Sequence, residues 1–234
     1  MTKESNNSVP LHIGLILDGN RRWAREKGLP TLEGHRKGYE NLKSVARAAF
    51  DRGVEYVSAY IFSTENWSRT KEEVDYLMNL AMTIATKDAK KLIKENIKIV
   101  VLGVEEKVPP KLVKAWRETE EASKHNTGGT LALCFNYGGH QEISDAVKSL
   151  IASGIDADEV TPELVAENLY HPEIPPVDFM IRTSGEQRLS NFMLWRMAYA
   201  EMYFAQVHWP AFDVTQLDEA LAEFACRSRR FGGN

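Results

Sequence analysis

The stretch HIGLILDGNRRWA, residues 12–24, decides how the rest of the chain is read. Its apolar run has the length of a buried strand and stops abruptly on a carboxylate, a glycine, an amide and two arginines. A strand that is apolar on both faces belongs in a parallel sheet covered by helices on each side. The same signal returns along the chain. Apolar runs at 11–17, 55–62, 97–103, 130–136, 177–182 and 202–207 alternate with helical patterns near 35–51, 71–95, 110–124, 139–153, 162–169 and 214–229. This alternation predicts an α/β fold: a single domain with a central, mostly parallel six-stranded sheet flanked by helices. TPEL at 161–164 starts one helix with a Thr cap and Pro in the first turn. HPEIPPVD at 171–178 is a surface connector, because its prolines resist helix and ladder alike. The polar residues 1–10 read as a flexible tail and 11–234 as the domain.

The 234 residues are 43% hydrophobic and 26% charged, with a net charge of -4, so no chain-wide basic footprint exists for nucleic acid and any anion chemistry is local. Cys134 and Cys226 form neither a metal spacing nor a disulfide framework, which suits a reducing cytoplasm. The N-terminus lacks the apolar core of a signal peptide, and no apolar run approaches the ~20 residues of a membrane span. The expectation is a cytoplasmic protein whose only membrane contact is peripheral. No DDxxD, GxxxxGK or GxGxxG after the first strand occurs, which removes helical trans-prenyl synthases, Walker NTPases and ordinary dinucleotide folds.

Ligands of open α/β sheets bind outside the carboxyl ends of the strands. Asp18 follows the first run, Ser63 and Glu65 the second, Asn136 the fourth and Arg182 the fifth, so four segments deliver polar groups to one edge. Asp18-Gly19-Asn20 reads either as a turn or helix cap, or as a Mg²⁺ ligand beside a phosphate cradle with Arg21 or Arg22 supplying charge. FSTENWSR at 62–69 is both a capped helix start and a loop rich in Ser63, Glu65, Asn66 and Arg69. RTSGEQRLSN at 182–191 is the strongest local signal: Arg182 and Arg188 flank Ser184 and Gly185, a combination that suits a diphosphate. Its ordinary alternative is surface pairing of the two arginines with Glu186 or Glu201. His35 stays open, and His140 reads as a structural hydrogen-bonder. Val74, Leu77, Met78, Ala81 and Ala85 form one helical stripe, by default a core face; Ala81 and Ala85 are small enough to leave room for an apolar chain.

Taken in order, HIGLILDGNRRWA, GHRKGYENL, YIFSTENWSR, NYGGHQEI and RTSGEQRLSNFMLWRMAYAEMYF resemble the motif set of the cis-prenyltransferases. The resemblance implies an apolar substrate tunnel and a Mg²⁺-dependent condensation of isopentenyl diphosphate onto an allylic diphosphate, farnesyl diphosphate by preference. Its implied product is a polyprenyl diphosphate such as undecaprenyl diphosphate, a lipid-carrier precursor for cell-wall glycan. By the same resemblance Asp18 holds Mg²⁺ and, with Asn66, carries catalysis. Gly19, Asn20, Arg21, Arg22 and His35 surround the allylic diphosphate. Trp23, Phe62, Ser63, Glu65, Trp67 and Arg69 position substrate, while Arg182, Arg188 and Ser190 bind isopentenyl diphosphate and Glu201 is a second acidic residue at the metal. Arg230, in the tail RRFGG, reaches a neighbour's site in a homodimer. Two departures stand out. Leu29-Pro30-Thr31-Leu32-Glu33 lacks the Arg that many members carry before the Gly-His pair, and Arg21 stands where many have Gly. Non-catalytic accessory chains with this fold and a Mg²⁺-dependent phosphohydrolase are the competing readings.

Overall fold

A computed structural model describes residues 9–227. Its strands are β1 (His12–Ile16), β2 (Tyr56–Ser63), β3 (Lys98–Leu102), β4 (Thr130–Tyr137), β5 (Phe179–Arg182) and β6 (Glu201–Phe204). They form one six-stranded sheet in the order β3-β4-β2-β1-β5-β6, and every neighbouring pair is parallel. The helices are α1 (Asn20–Glu26), α2 (Thr31–Asp51), α3 (Lys71–Thr83), α4 (Ala89–Lys94), α5 (Pro110–Ser123), α6 (Gly139–Ala152), α7 (Pro162–Glu167) and α8 (Val214–Cys226).

Every residue of β1 is buried, as a central strand of a covered parallel sheet requires. Ile13 and Leu15 share a core with Val57, Leu131 and Ile181 and with the inner faces of α2, α3, α5 and α8. Ile16, on the opposite face, packs with Met180 of β5 and with Ile174, Phe192 and Met193, which the irregular segments around β5 supply. The short strand β6 ends at Phe204, before the limit of its apolar run at 207.

The helices differ from the sequence reading in three places. Helix α2 begins at Thr31, ahead of 35, and packs tightly on α1: a Cβ on Gly34 would lie 2.1 Å from the Asn20 carbonyl oxygen, and one on Gly38 would lie 2.1 Å from the Asn20 side-chain oxygen. These glycines therefore bring α2 directly beneath the end of β1. The pattern at 71–95 is not one regular helix, because a π-helical turn at Ile84–Asp88 separates α3 from α4. The Thr119 hydroxyl of α5 lies 3.0 Å from the Ala85 carbonyl and 2.9 Å from that of Ala115, which explains how the displaced backbone is satisfied. Helix α7 stops at Glu167, with Thr161 as its expected cap accepting from the Leu164 N–H.

Candidate active site

At the carboxyl edge of β1 the chain turns through Gly19, whose φ of 100° lies in the left-handed region. A Cβ there would come within 2.0 Å of Ser184 Oγ and 2.6 Å of His208 Nδ1, so only glycine fits. Ser184 and His208 are themselves hydrogen-bonded, and the far nitrogen of His208 lies 3.0 Å from Glu26 on α1. This ties the loop after β5 to α1 from behind.

In front of that tie, Asp18 grips two cations. Its Oδ1 accepts from the Gly19 N–H at 2.7 Å and from Arg22 at 3.2 Å, and its Oδ2 accepts from Arg182 at 2.8 Å. Burial pushes the Asp18 pKa up, but Arg182, Arg22 and the Gly19 amide outweigh it and hold the carboxyl below its ordinary value. Arg182 also donates to Ser190 Oγ at 2.8 Å and to the Arg188 carbonyl. Although the residue is only 3% exposed, its Nε has no hydrogen-bond partner. Glu186 bridges Arg22 at 2.9 Å to Arg188 at 2.5 Å, the surface pairing raised as the ordinary alternative for Arg188, whereas Arg182 pairs with Asp18.

A second carboxylate, Glu73 of α3, organises the other wall. It lies 3.0 Å from His35 Nε2, 2.9 Å from Arg69 and 3.8 Å from Arg21. Burial raises the Glu73 pKa, and Arg69, His35 and Arg21 more than reverse this, so the acid is ionised. Burial depresses His35, with the Glu73 hydrogen bond opposing, so the imidazole is neutral near pH 7 and donates from Nε2. Sequence reasoning missed Glu73; its signal was a carboxylate four residues before Leu77, on the buried side of an amphipathic helix.

Between the two carboxylates lies a cleft of about 680 Å³ lined by Asp18, Gly19, Asn20, Arg21, Arg22, His35 and Arg69. It shares Leu17, Asn20, His35 and Arg69 with a pocket of about 120 Å³ that is polar at this shared end and reaches the apolar Phe62, Ala81 and Ile84, with Asn66 on its wall. Of the two small residues singled out, Ala81 lines this pocket and Ala85 does not. Ser63 and Asn66 form a reciprocal capping box over the short 3₁₀ turn Thr64–Ser68. Trp67 donates from its indole to Asn136 at 2.7 Å, and Glu65 accepts from Asn191 at 3.0 Å. Trp23 is half-buried on α1 and lines neither space.

Glu201 does not join Asp18 within the chain. It opens β6 opposite Phe179, three residues before the level of Arg182, and pairs with Arg227 at 3.0 Å. At ~3.3 Å per residue that separates it from the carboxyl edge by about 10 Å along the strand. Among the described residues Asp18 is the one carboxylate that lines the cleft itself, and no cluster of three His, Cys, Asp or Glu side chains suited to a metal occurs among them. Arg230 lies outside the described residues. No helix among them is long and apolar enough to cross a membrane.

A parallel α/β sheet whose carboxyl edge carries a cation-ringed cleft opening onto an apolar pocket defines a protein built for a ligand with an anionic head and an apolar tail. Residues 16–232 match the prenyltransferase family model described as "Putative undecaprenyl diphosphate synthase", and the chain belongs to that family. It is 42% identical over 227 residues to an isoprenyl transferase of Thermotoga maritima, covering 96% of this chain and 97% of the relative. It is 43% identical over 229 residues to a trans,polycis-polyprenyl diphosphate synthase ((2Z,6E)-farnesyl diphosphate specific) of Thermobifida fusca, covering 96% and 81%. Among solved structures, lavandulyl diphosphate synthase from Lavandula x intermedia, in complex with dimethylallyl diphosphate, superposes with a TM-score of 0.90 at 32% identity, covering 96% of this chain and 99% of that one. A "probable undecaprenyl diphosphate synthase" from Campylobacter jejuni gives 0.81 at 28% identity, covering 95% and 98%.

Proposed function

We propose that this chain elongates an allylic diphosphate, farnesyl diphosphate by preference, with isopentenyl diphosphate, forming cis double bonds. The observation that carries this reading is the junction of the polar cleft with the apolar pocket at Asn20, His35 and Arg69. With a diphosphate head in the cleft, its prenyl tail enters the adjoining pocket.

The allylic diphosphate lies over Gly19 and Asn20 toward Arg21, Arg22, His35 and Arg69. Isopentenyl diphosphate is clamped by Arg182, Arg188 and Ser190, with the planar guanidinium forks matching its phosphate oxygens. In the reaction the allylic carbon–oxygen bond breaks and diphosphate leaves with the electron pair. The isopentenyl double bond attacks that carbon, a carbon–carbon bond forms, and a proton is lost to make the new double bond. Arg22 and the other cleft cations stabilise the charge that builds on the leaving group. Asn66, on the pocket wall, and Trp67, held by Asn136, orient the reacting ends.

A lone carboxylate facing a diphosphate site fits Mg²⁺, which is commonly held by one or two carboxylates together with substrate phosphates. Asp18 is the residue that would hold it, and the ion supplies charge neutralisation at the departing diphosphate. A homodimer belongs to this reading, with Arg230 contributing to a neighbour's cleft; the edge strand β6, with Met202 exposed on it and Tyr199 exposed just before it, offers an apolar face for such contact. Mixing Asp18→Ala with Arg230→Ala after subunit exchange restores about a quarter of native activity if the cleft is shared, and nothing if the tail serves its own chain.

Chromatography of the products from purified protein, farnesyl diphosphate and labelled isopentenyl diphosphate tests the reaction. Label in a longer prenyl diphosphate, lost with EDTA, supports it. Release of phosphate or diphosphate without isopentenyl diphosphate identifies a hydrolase instead.

A further inference from the structure

Behind the cleft, residues from two segments hold the turn that carries Asp18. Thr183 and Ser184 follow β5, His208 and Trp209 follow β6, and the Ser184 N–H joins the segments by donating to the Val207 carbonyl at 2.7 Å. Thr183 and Trp209 take the Asp18 carbonyl, which accepts from the Thr183 hydroxyl at 2.7 Å and from the Trp209 N–H at 2.9 Å. Ser184 and His208 are the side chains that a Cβ on Gly19 would strike. The peptide unit between Asp18 and Gly19 is planar, so fixing its carbonyl and backing its glycine also aims its N–H. That N–H donates to Asp18 Oδ1 at 2.7 Å.

Ser184, His208 and Glu26 stand in a row with a defined proton order. The His208 hydrogen bond holds the Glu26 carboxyl below its ordinary value, so Glu26 only accepts and Nε2, at 3.0 Å, carries the proton. In the neutral imidazole Nδ1 is then the acceptor, and the Ser184 hydroxyl donates to it. The Ser184 oxygen is left with its lone pairs toward Gly19. Hydroxyl, imidazole and carboxylate in this order activate a nucleophile where the hydroxyl meets a substrate. Ser184, however, is 9% exposed and lines neither the cleft nor the pocket. What it faces is the backbone that carries Asp18.

We propose that Ser184 and His208 are positioning residues for the reaction: oriented by Glu26, they brace Gly19 so that its N–H keeps the Asp18 carboxylate in place at the cleft. They touch no substrate and act through Asp18. The inference rests on the elongation reading above and adds to it the residues that hold its central carboxylate. Ser184 also shares a loop with Arg188 and Ser190, which makes two kinds of damage separable. A loosened loop raises the KM for isopentenyl diphosphate, whereas a displaced Asp18 lowers kcat.

Steady-state kinetics with farnesyl diphosphate and isopentenyl diphosphate, on wild type, Ser184→Ala, His208→Leu, their double variant and His208→Asn, test this together with nitrogen NMR of histidine-labelled protein. Ser184→Ala and His208→Leu are each expected to lower kcat on the order of tenfold, with the KM for isopentenyl diphosphate held within about twofold. Both remove the same hydrogen bond, so the double variant is expected to lose no more than either single one. His208→Asn, whose amide oxygen replaces Nδ1 as the acceptor, is expected to recover most of kcat, a rescue that a merely structural role would not give. The NMR spectrum is expected to show His208 protonated at Nε2, with its Nδ1 signal shifted in Ser184→Ala. Should His208→Leu fail to fold, Ser184→Ala and His208→Asn carry the kinetic comparison. Wild-type kcat in Ser184→Ala, losses that multiply in the double variant, a raised isopentenyl KM with kcat unchanged, or the proton on Nδ1 overturns the inference and leaves the elongation reading standing. A wild type that incorporates no isopentenyl unit refutes the elongation reading itself, and the inference falls with it.

Discussion

The two ends of β1 have opposite characters. At its amino end His12 is fully buried with both ring nitrogens engaged, Nδ1 with the Pro175 carbonyl and Nε2 with Ser58 Oγ, each at 2.8 Å, and its N–H donates to Asp178. At its carboxyl end Asp18 is half-buried, its side-chain partners are the guanidiniums of Arg22 and Arg182, and Arg182 carries an unpartnered Nε. Several residues at the carboxyl edge are also held with left-handed backbone. Gly19, Asn136, Ser184, Ser190 and Asn191 all have positive φ and gather at the carboxyl edge. Five residues of strand therefore separate a closed network, which can only stabilise, from an open one whose cations a ligand can take over.

Four experiments press on that contrast. Asp18→Ala should cost about a thousandfold or more in turnover, since it removes the carboxylate proposed for the metal and the anchor of two arginines. Its melting temperature should stay close to that of the wild type. Equal losses of turnover and stability would erase the difference between the two ends.

His12 should behave in the opposite sense, through stability. Burial lowers its pKa to about 4, below the ordinary 6.5 of an unfolded histidine. As pH falls through 6.5 the unfolded chain binds the proton first, so folding stability declines by ~3 kcal/mol by pH 4 and levels off below. Urea denaturation of wild type and His12→Gln across this window checks it: the variant should be less stable at pH 7 with a flatter acid slope, and retain its turnover when folded.

Arg182→Ala should remove charge-assisted bonds worth roughly 1.5 to 3 kcal/mol, a KM for isopentenyl diphosphate raised about 10- to 150-fold, with the allylic KM changed far less. Arg182→Lys should recover only part, lacking the planar fork. The smallest effect is expected from Glu73→Gln, which keeps the shape of the hub beneath His35, Arg69 and Arg21 but removes its charge. The allylic KM should rise by about three- to tenfold, ~1 kcal/mol, because the arginines concerned are partly exposed. If both substrates weaken equally in either variant, the two walls of the cleft do not serve separate diphosphates.

Much of the frame was legible because buried parallel strands are apolar on both faces: β1, β3 and β5 fall within their apolar runs, β2 and β4 pass theirs by one residue, and the Thr161 cap came directly from TPEL. What escaped depended on partners distant in sequence. The π-helical turn has no Gly or Pro to announce it, and its anchor, Thr119, lies on another helix. Ala85 shares the stripe of Ala81, yet the altered winding takes it off the pocket wall. Glu73 reads as an ordinary first-turn acid until α2 brings His35 over it. The resemblance brought Glu201 into one set with Asp18, but strand direction puts them at different levels of the sheet.

The most direct test of the central claim is a crystal structure of the protein with isopentenyl diphosphate bound. The account predicts its diphosphate on Arg182, Arg188 and Ser190, with the 2.8 Å contact between Arg182 and Asp18 opened so that the guanidinium turns to phosphate. A diphosphate seated away from these residues, with Arg182 still closed on Asp18, would contradict it.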